Sequence, residues 1–225
     1  MPKEVTHPGT WAGEILRSND HQNTSQLAGR RVLVVGNGNT GCDIAVAAAA
    51  VNGTADISMR AGAYIFPKVF LGVPTAELGR RLPFKGAWVD RSIARIIHRC
   101  AMGNEARYGM PMPRFRILDK HPVVNDELPA LIRQGRITPR PDIARLNRTL
   151  VHFLDGTTAQ YDLIVYAVGY RISLPMLHPD DALLNWADNV PIVHSQLIAP
   201  TVRGLFLSGL GQARTGGGFL FQEAG

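Results

Sequence analysis

The sequence predicts an α/β fold built around a parallel, Rossmann-like sheet, and three observations lead to this prediction. Val32 to Val35 is an apolar, β-branched run, as expected for a strand buried on both faces of a parallel sheet. Gly36, Gly38 and Gly41 follow it in G-x-G-x-x-G register. A helix-forming segment and a second strand, Ala55 to Arg60, complete the order strand, glycine turn, helix and strand.

Each glycine of this turn has a physical role. The first permits the tight turn, the second lets the backbone approach a pyrophosphate, and the third lets the helix pack closely on the strand. Asn39 to Val51 consists mostly of good helix formers, and Asn52-Gly53 is a natural helix stop. The helix would direct its first amides at the turn, where hydrogen bonds and the helix dipole favour a diphosphate. The context favours a dinucleotide site over a purely structural turn, and its candidate residues are Gly36, Asn37, Gly38, Asn39, Thr40 and Gly41.

The end of the second strand indicates which dinucleotide is bound. An acid there would bind the ribose 2′-hydroxyl of NAD, whereas this chain offers Arg60 with no acid beside it, which suits the 2′-phosphate of NADP. The alternative is a solvated arginine at a strand end. Tyr64 and Lys68 have the Y-x-x-x-K spacing of short-chain dehydrogenases, but Pro67 lies between them and no long helix contains them. Lys68 is therefore expected to be, at most, a phosphate contact.

Composition excludes several classes of function. The 225 residues are 45% hydrophobic, which is ordinary for a globular protein, and the net charge of +6 comes from scattered, mostly arginine residues. There is no basic stripe interleaved with aromatics, so we expect no nucleic-acid partner. Cys42 and Cys100 are isolated and are expected to be buried thiols, and the histidines lack metal-site spacing. No transmembrane run or secretory leader is evident, so the expected location is cytoplasmic.

The rest of the chain divides by its periodicity. Residues 62–135 form a proline-broken, partly helical insertion, with helical spacing in Ser92 to Cys100 and in Asp126 to Arg133. From Ile143 the period changes to two, and Asp155-Gly156 marks a hairpin, which predicts a β-meander. Buried strands are expected at Leu163 to Ala167 and at Leu205 to Leu207.

Four motifs follow one another along the chain. The stretch from Trp11 to His21 approaches the pattern F-x-G-x-x-x-H-x-x-x-Y/F, with Arg17 in place of its histidine. The glycine turn is similar to G-x-G-N-S-G, and the strand from Asp162 to Tyr170 is similar to one that ends in A-T-G-Y. Together with Gly204 to Gln212, these motifs resemble the flavin-containing monooxygenases, a family related to the Baeyer-Villiger monooxygenases, in which the last segment returns to the flavin domain.

This resemblance implies a division into domains. Residues 1–29 would be a connecting segment, and residues 30–160 would form the NADP-binding domain. Residues 161–225 would be the C-terminal portion of a second, FAD-type domain. Further cofactor contacts implied by the resemblance are Ala167, Val168, Gly169, Gly209 and Gln212. The family carries an N-terminal FAD motif that has no counterpart here, so a fragment is expected, with the absent FAD-domain portion as a possible partner and the catalytic residues unknown.

The function that the resemblance implies is that of a flavin-dependent monooxygenase. NADPH would reduce FAD, and a flavin (hydro)peroxide would oxygenate a small organic substrate. Two alternatives stay open: a stand-alone NADP-binding module without flavin chemistry, and a relative of the flavin disulfide reductases, against which the missing C-x-x-C argues.

Overall fold

A computed structural model describes most of the chain, and the described residues include two sheets, three helices and three small strand pairs. The described residues are 5–75, 77, 87–103, 108–119, 122–170, 172, 174, 184–187, 190–194 and 198–207. The strands in chain order are β1 (Gly9–Trp11), β2 (Glu14–Arg17), β3 (Val32–Val35), β4 (Ala55–Ser58), β5 (Ile65–Phe66), β6 (Val69–Phe70), β7 (Val73–Pro74), β8 (Val123–Val124), β9 (Ile137–Arg140), β10 (Ile143–Arg148), β11 (Leu150–Phe153), β12 (Thr158–Gln160), β13 (Leu163–Tyr166), β14 (Trp186–Ala187) and β15 (Val190–Pro191). The helices are α1 (Asn39–Asn52), α2 (Ala87–Met102) and α3 (Glu127–Arg133), with one 3-10 turn at Thr24–Gln26.

A five-stranded sheet organises these elements. Its strand order is β2-β13-β3-β4-β9, and all neighbouring pairs are parallel. Leu163 of β13 lies opposite Val32 of β3 on one side and Glu14 of β2 on the other. The prediction of an α/β fold with a parallel sheet is confirmed, and so are β3, α1 and β4 in their predicted order.

The sheet contains three strands that the sequence did not assign to it, and one of them, β9, lies between the insertion and the meander, where no strand was predicted. The hydrogen-bonded pairing places β2, from the expected connecting segment, and β13, from the expected second domain, in the sheet of β3. The domain boundaries at residues 29/30 and 160/161 stay a prediction, although the sheet continues across both of them. An edge strand like β2 is hard to recognise, since Leu16 is its one buried residue. A second domain beyond β13 stays a prediction.

The two faces of the sheet carry different layers. Val34 points into a core shared with α1 and α3, where the small side chains of Ala45 and Ala48 are fully buried and allow the helix to lie close to the sheet. Leu33 points to the opposite face and packs with Phe153 of the meander. Helices therefore cover one face of the sheet and a second, smaller sheet covers the other.

The second sheet is the predicted meander with one additional strand. Strands β10, β11 and β12 are antiparallel neighbours, and the turn between β11 and β12 contains Gly156 at a φ of +83°. Asp155 accepts hydrogen bonds from the amide and hydroxyl of Thr157, which closes this turn. The meander is confirmed, whereas β1, which lies parallel to β10, was missed.

The insertion folds as a small subdomain with its own core. β5 pairs with β8, β6 pairs with β7, and α2 packs its buried Ala94 and Ile97 against Phe66 and Ile117. Both predicted helices are confirmed. Among the described residues, no helix is long and apolar enough to span a bilayer.

Two local expectations are wrong. Cys42 is buried as expected, but Cys100 is exposed near the end of α2, because the buried stripe of that helix runs through Ala94 and Ile97. Leu205 to Leu207 is not a strand. Phe206 forms an isolated β-bridge with Ile198, and among the described residues the segment makes no longer run of strand pairing.

Asn125 joins α3 to α1. It is 4% exposed, and its side-chain oxygen accepts hydrogen bonds from the amides of Glu127 and Leu128 at 3.0 and 2.7 Å. Its amide nitrogen donates to Asp43 of α1 at 2.9 Å. One side chain therefore caps one helix and ties it to another.

His7 fastens the N-terminal segment to the end of β13. Its side chain is 9% exposed, its Nδ1 shares a hydrogen bond of 2.9 Å with the Tyr166 hydroxyl, and the two rings stack. Burial lowers the pKa of His7, and Asp142 opposes this shift more weakly. The folded chain therefore favours the neutral imidazole.

We expect Asn125→Ala to lower the free energy of unfolding by about 1–3 kcal/mol, because the substitution removes a helix cap and leaves buried amides unpaired. Urea unfolding followed by circular dichroism measures this loss. Asn147→Ala is the matched control, since Asn147 is exposed on β10. Equal stabilities of the two variants would contradict the assigned role of Asn125.

We expect the free energy of unfolding to fall as the pH is lowered from 7.5 to 5.5, and His7→Gln to weaken this dependence. The pKa of His7 is lower in the folded chain than the unfolded value of 6.5, so the unfolded state binds more protons below that pH. Urea titrations at the two pH values test this expectation. If His7→Gln keeps the pH dependence of the parent chain, His7 is not its source.

Candidate functional site

The glycine turn lies at the carboxyl edge of the parallel sheet, between the end of β3 and the start of α1. Gly36 has a φ of +109°, and a Cβ there would lie 2.4 Å from the backbone oxygen of Ala167. A Cβ at Gly41 would lie 2.0 Å from the backbone oxygen of Gly36. Glycine is therefore required at both positions by the chain itself.

Gly38 is different from its two neighbours. A Cβ at Gly38 would meet no atom within 4 Å, and its φ of −75° is open to any residue. Packing within the described chain therefore gives no reason for glycine at this position. A diphosphate that approaches the backbone closely would explain the glycine, because any side chain at this position would block that approach.

The first turn of α1 presents its amides beside Gly38. Gly38 is the N-cap residue, no side chain caps the helix, and the first turn contains no acid. The backbone amide of Cys42 donates to the Gly38 oxygen at 3.0 Å, which is the first hydrogen bond of the helix. The amides of Asn39, Thr40 and Gly41 therefore have no intrahelical acceptor. Such a helix start suits an anion, through both hydrogen bonds and the dipole.

The asparagines of the turn bind backbone groups of the protein. Asn37 donates its side-chain amide to the Ala61 oxygen at 2.8 Å, and Asn39 accepts from the amide of Val124 at 2.9 Å. Both were predicted as cofactor contacts, and in the structure their side chains hold the two loops beside the turn. Thr40 is exposed on the first turn of α1.

Two cations follow strands near the turn: Arg60 lies on the loop that Asn37 holds, and Lys68 follows β5, the partner of the strand β8 that Asn39 holds. Arg60 follows β4 and precedes Ala61, is exposed, and makes no ion pair or hydrogen bond within the described part of the chain. Lys68 is also exposed, two residues beyond β5, and its backbone amide donates to Asp126. The guanidinium of Arg60 is therefore available at the strand end where the adenosine ribose is expected.

The acid of the second strand is engaged elsewhere. Asp56, in the middle of β4, accepts from Arg140 at 2.7 Å and from the Tyr161 hydroxyl at 2.5 Å. Burial raises the pKa of Tyr161, and Asp56 adds to the shift, so the hydroxyl keeps its proton at neutral pH. Sequence reasoning missed this group, since Asp56 and Tyr161 are separated by 105 positions and no local pattern connects them.

The segment after β13 completes the wall of the turn. Ala167 donates its amide to the Val35 oxygen at 2.8 Å and is buried, Val168 is half-buried, and Gly169 is exposed with a φ of +86°. The structure therefore brings Ala167 into contact with the glycine turn. Gly209 and Gln212, the other predicted contacts, lie outside the described residues.

Asn125 is a further residue that the sequence did not identify. It lies next to Val124, the partner of Asn39, and it bonds Asp43 on the second turn of α1. The signal available in the sequence was an asparagine two residues before an acidic helix start, which is a common capping pattern.

A cavity of about 540 Å³ lies at the opposite, amino edge of the sheet. The charged side chains and the asparagine around it are paired within the protein: Arg31 binds Asp162 at 2.7 Å, and Asn52 bonds the backbone of Leu27 and Gly29. The Arg31 guanidinium holds the pKa of Asp162 down to about 2. The glycine turn, with its uncapped helix start and unpaired arginine, is therefore the better candidate site.

Comparison with known proteins gives relatives along nearly the whole chain. Human flavin-containing monooxygenase 3 is 32% identical over 216 residues, covering 89% of this chain and 38% of the relative. Indole-3-pyruvate monooxygenase YUCCA8 of Oryza sativa subsp. indica is 29% identical over 184 residues, covering 77% of this chain and 43% of the relative. The chain thus spans about two fifths of the length of these relatives.

Solved structures share the fold. An open structure of cyclohexanone monooxygenase matches with a TM-score of 0.67 at 15% identity, covering 92% of this chain and 55% of that one. An oxidised steroid monooxygenase bound to NADP matches with a TM-score of 0.59 at 13% identity, covering 75% and 44%. The family model described as flavin-binding monooxygenase-like matches residues 1–221, and the chain belongs to that family.

Proposed function

We propose that this chain is the NADP-binding portion of a flavin-dependent monooxygenase. The observation that carries the proposal is the difference among the three glycines of the turn. Gly36 and Gly41 are required by contacts with the chain's own backbone, whereas Gly38 faces open space beside an uncapped helix start. A dinucleotide diphosphate accounts for that bare position and for the available amides together.

The residues present fit the diphosphate of NADP. Gly38 leaves space for the diphosphate to approach the backbone, and the amides of Asn39, Thr40 and Gly41 would donate hydrogen bonds to the diphosphate oxygens. Asn37 would act indirectly, since its side chain holds the loop that carries Arg60. The solved steroid monooxygenase that shares this fold is bound to NADP, which supports the assignment.

Arg60 would select NADP over NAD. Its guanidinium is exposed at the end of the second strand and would bind the 2′-phosphate through two oxygens. The acid of the second strand, Asp56, lies near the start of β4, away from Arg60, and is held by Arg140 and Tyr161. Lys68 would add positive charge to the same phosphate.

FAD and NADPH are the cofactors of this family. In the whole enzyme, NADPH would reduce the flavin, which supplies the oxygen activation for transfer of one oxygen atom to a small organic substrate. The part played by the described residues is to bind and orient the nicotinamide dinucleotide. Ala167, Val168 and Gly169 would border it, Gly209 and Gln212 would contact the flavin, and the rest of the FAD-binding portion is the proposed partner.

Disulfide reductase chemistry has no support in the cysteines. Burial raises the pKa of the Cys42 thiol to about 12, and the thiol donates to the Asn37 oxygen. A thiol of this kind is a poor nucleophile at neutral pH. Cys100, the other cysteine of the sequence, lies in α2 of the insertion.

We expect Gly38→Val to abolish NADP binding while the fold is retained, because the new side chain meets no protein atom near its Cβ and projects toward the proposed diphosphate position. Calorimetric titration with NADP measures the affinity, and urea unfolding measures the stability. Gly36→Ala is the contrasting variant, since a Cβ there clashes with Ala167 and the φ of +109° is strained, so it should lose stability first. Unchanged affinity of Gly38→Val would show that the turn is only structural.

We expect Arg60→Ala to weaken NADPH binding by roughly ten- to a hundredfold, since a charge-assisted contact is worth about 1.5–3 kcal/mol, and to leave NADH binding nearly unchanged. The double variant with Lys68→Ala should lose more. Arg145→Ala, an exposed arginine on β10, is the matched control for net charge. Equal losses for NADPH and NADH would assign Arg60 to the fold and remove the basis for choosing NADP.

A further inference from the structure

The loop that carries Arg60 is fixed on one side by its neighbours in the parallel sheet and the glycine turn. Met59 donates its backbone amide to the Arg140 oxygen at 2.8 Å, which continues the pairing of β4 with β9. Asn37 of the glycine turn donates its side-chain amide to the Ala61 oxygen at 2.8 Å. The backbone is therefore held both before and after Arg60.

The same loop lies against the backbone of the insertion two residues beyond Arg60. A Cβ at Gly62 would lie 2.0 Å from the backbone oxygen of Pro111 and 2.6 Å from the backbone nitrogen of Pro113. Packed atoms do not approach so closely, so glycine is required at this position by the space available. Residues 111–113 are therefore in direct contact with the loop that follows β4.

These residues belong to a segment, residues 108–117, that we call the strap because both of its ends are anchored. Met110 is 5% exposed and packs in the core between the parallel sheet and its helices. Ile117 is 1% exposed and packs in the core of the insertion. Between these ends, the Tyr64 hydroxyl donates to the Phe115 oxygen at 3.2 Å, and the two rings pack edge to face.

The strap carries a cation next to its contact with the loop. Arg114 directly follows Pro113, is exposed, and makes no ion pair or hydrogen bond with any described residue. The strap itself contains no acid. The acid that follows it, Asp119, is bound by Arg91 of α2 at 2.9 Å. The positive charge of Arg114 is therefore not neutralised within the described part of the chain.

Arg60 and Arg114 are thus two unpaired cations on the two sides of the backbone contact at Gly62. Two like charges on adjacent, anchored segments repel each other, and an anion between them offsets this repulsion. A phosphate monoester carries nearly two negative charges at neutral pH, together with three acceptor oxygens. It can therefore accept hydrogen bonds from two guanidinium groups, whereas a ribose hydroxyl offers no charge to either.

We propose that Arg114 is a second residue that selects NADP over NAD, and that it binds the 2′-phosphate together with Arg60. The inference rests on the proposed function, because it adds a cation from the insertion to the same dinucleotide site. The strap positions Arg114 through its two buried ends and its contact with Gly62. The preference for NADP is then determined jointly by the end of β4 and by the insertion.

Calorimetric titration of the full chain with NADPH, NADH and adenosine 2′,5′-bisphosphate tests the proposal. We expect Arg114→Gln to weaken the binding of NADPH and of the bisphosphate by about tenfold, since both carry the phosphate that a charge-assisted contact would hold, and to leave NADH binding nearly unchanged. Arg60→Ala/Arg114→Gln should bind NADPH no better than NADH.

Arg116→Gln is the matched control, because it removes the same charge from an exposed position of the strap that lies two residues further from the contact with Gly62. It should retain the NADPH affinity of the parent chain. Gly62→Ala is a second, independent variant, since its Cβ would push the strap away from the loop. It should weaken NADPH binding more than NADH binding, and adding Arg114→Gln to it should cost little more. Circular dichroism verifies the fold of each variant.

The proposal is overturned if Arg114→Gln binds NADPH as tightly as the parent chain, if Arg116→Gln loses as much affinity, or if NADPH and NADH lose affinity equally. In the first two cases the proposed function still stands, provided that Arg60→Ala weakens NADPH selectively. Failure of the parent chain to bind either dinucleotide would instead overturn the proposed function, and the role of Arg114 with it.

Discussion

The structure depends on a close backbone approach at the carboxyl edge of the parallel sheet. Gly36 lies against the backbone of Ala167, and Gly41 lies against the backbone of Gly36, so that the end of β3, the end of β13 and the start of α1 meet with no room for a Cβ. The alanines of α1 extend the same close packing along the sheet. This contact sets the position at which α1 begins, and therefore the position of the first amides of α1. The third element of the contact, β13, is provided by chain more than a hundred residues away from the turn.

The loops around this contact are held by hydrogen bonds from asparagine rather than by apolar packing. Asn37 holds the segment after β4, Asn39 holds β8, and Asn125 joins α3 to α1. Asparagine provides a donor and an acceptor in one short side chain, so it can satisfy backbone groups where a glycine-rich turn leaves no side chains to pack. Gly38 therefore stays bare although it is surrounded by an ordered frame. This combination of an open position within fixed walls is what a preorganised anion site requires.

How far the sequence predicts this structure depends on the range of the interactions involved. β3, α1, β4 and the meander follow from periodicity and turn residues that lie within a few positions of one another. The position of β13 between β2 and β3 depends on pairing over sequence separations of about 150 and about 130 residues, which periodicity does not encode. The same holds for the bond between Asp56 and Tyr161, which changes how the acid in β4 is interpreted. Cys100 and Phe206 were misjudged because a short apolar context does not by itself determine which side faces the core.

The proposed nucleotide site and the insertion, residues 62–135, are connected by direct bonds. Val124, in the insertion, donates to Asn39 in the first turn of α1, and its neighbour Asn125 bonds Asp43 one turn further along. β8, which contains Val124, pairs with β5, and β5 packs on α2 through Phe66. Helix α2 is thus separated from the helix start that would bind the diphosphate by one packed cluster and one strand pair. Each of these contacts is either buried or hydrogen-bonded, so the insertion holds the first two turns of α1 at the edge of the sheet where the dinucleotide would bind.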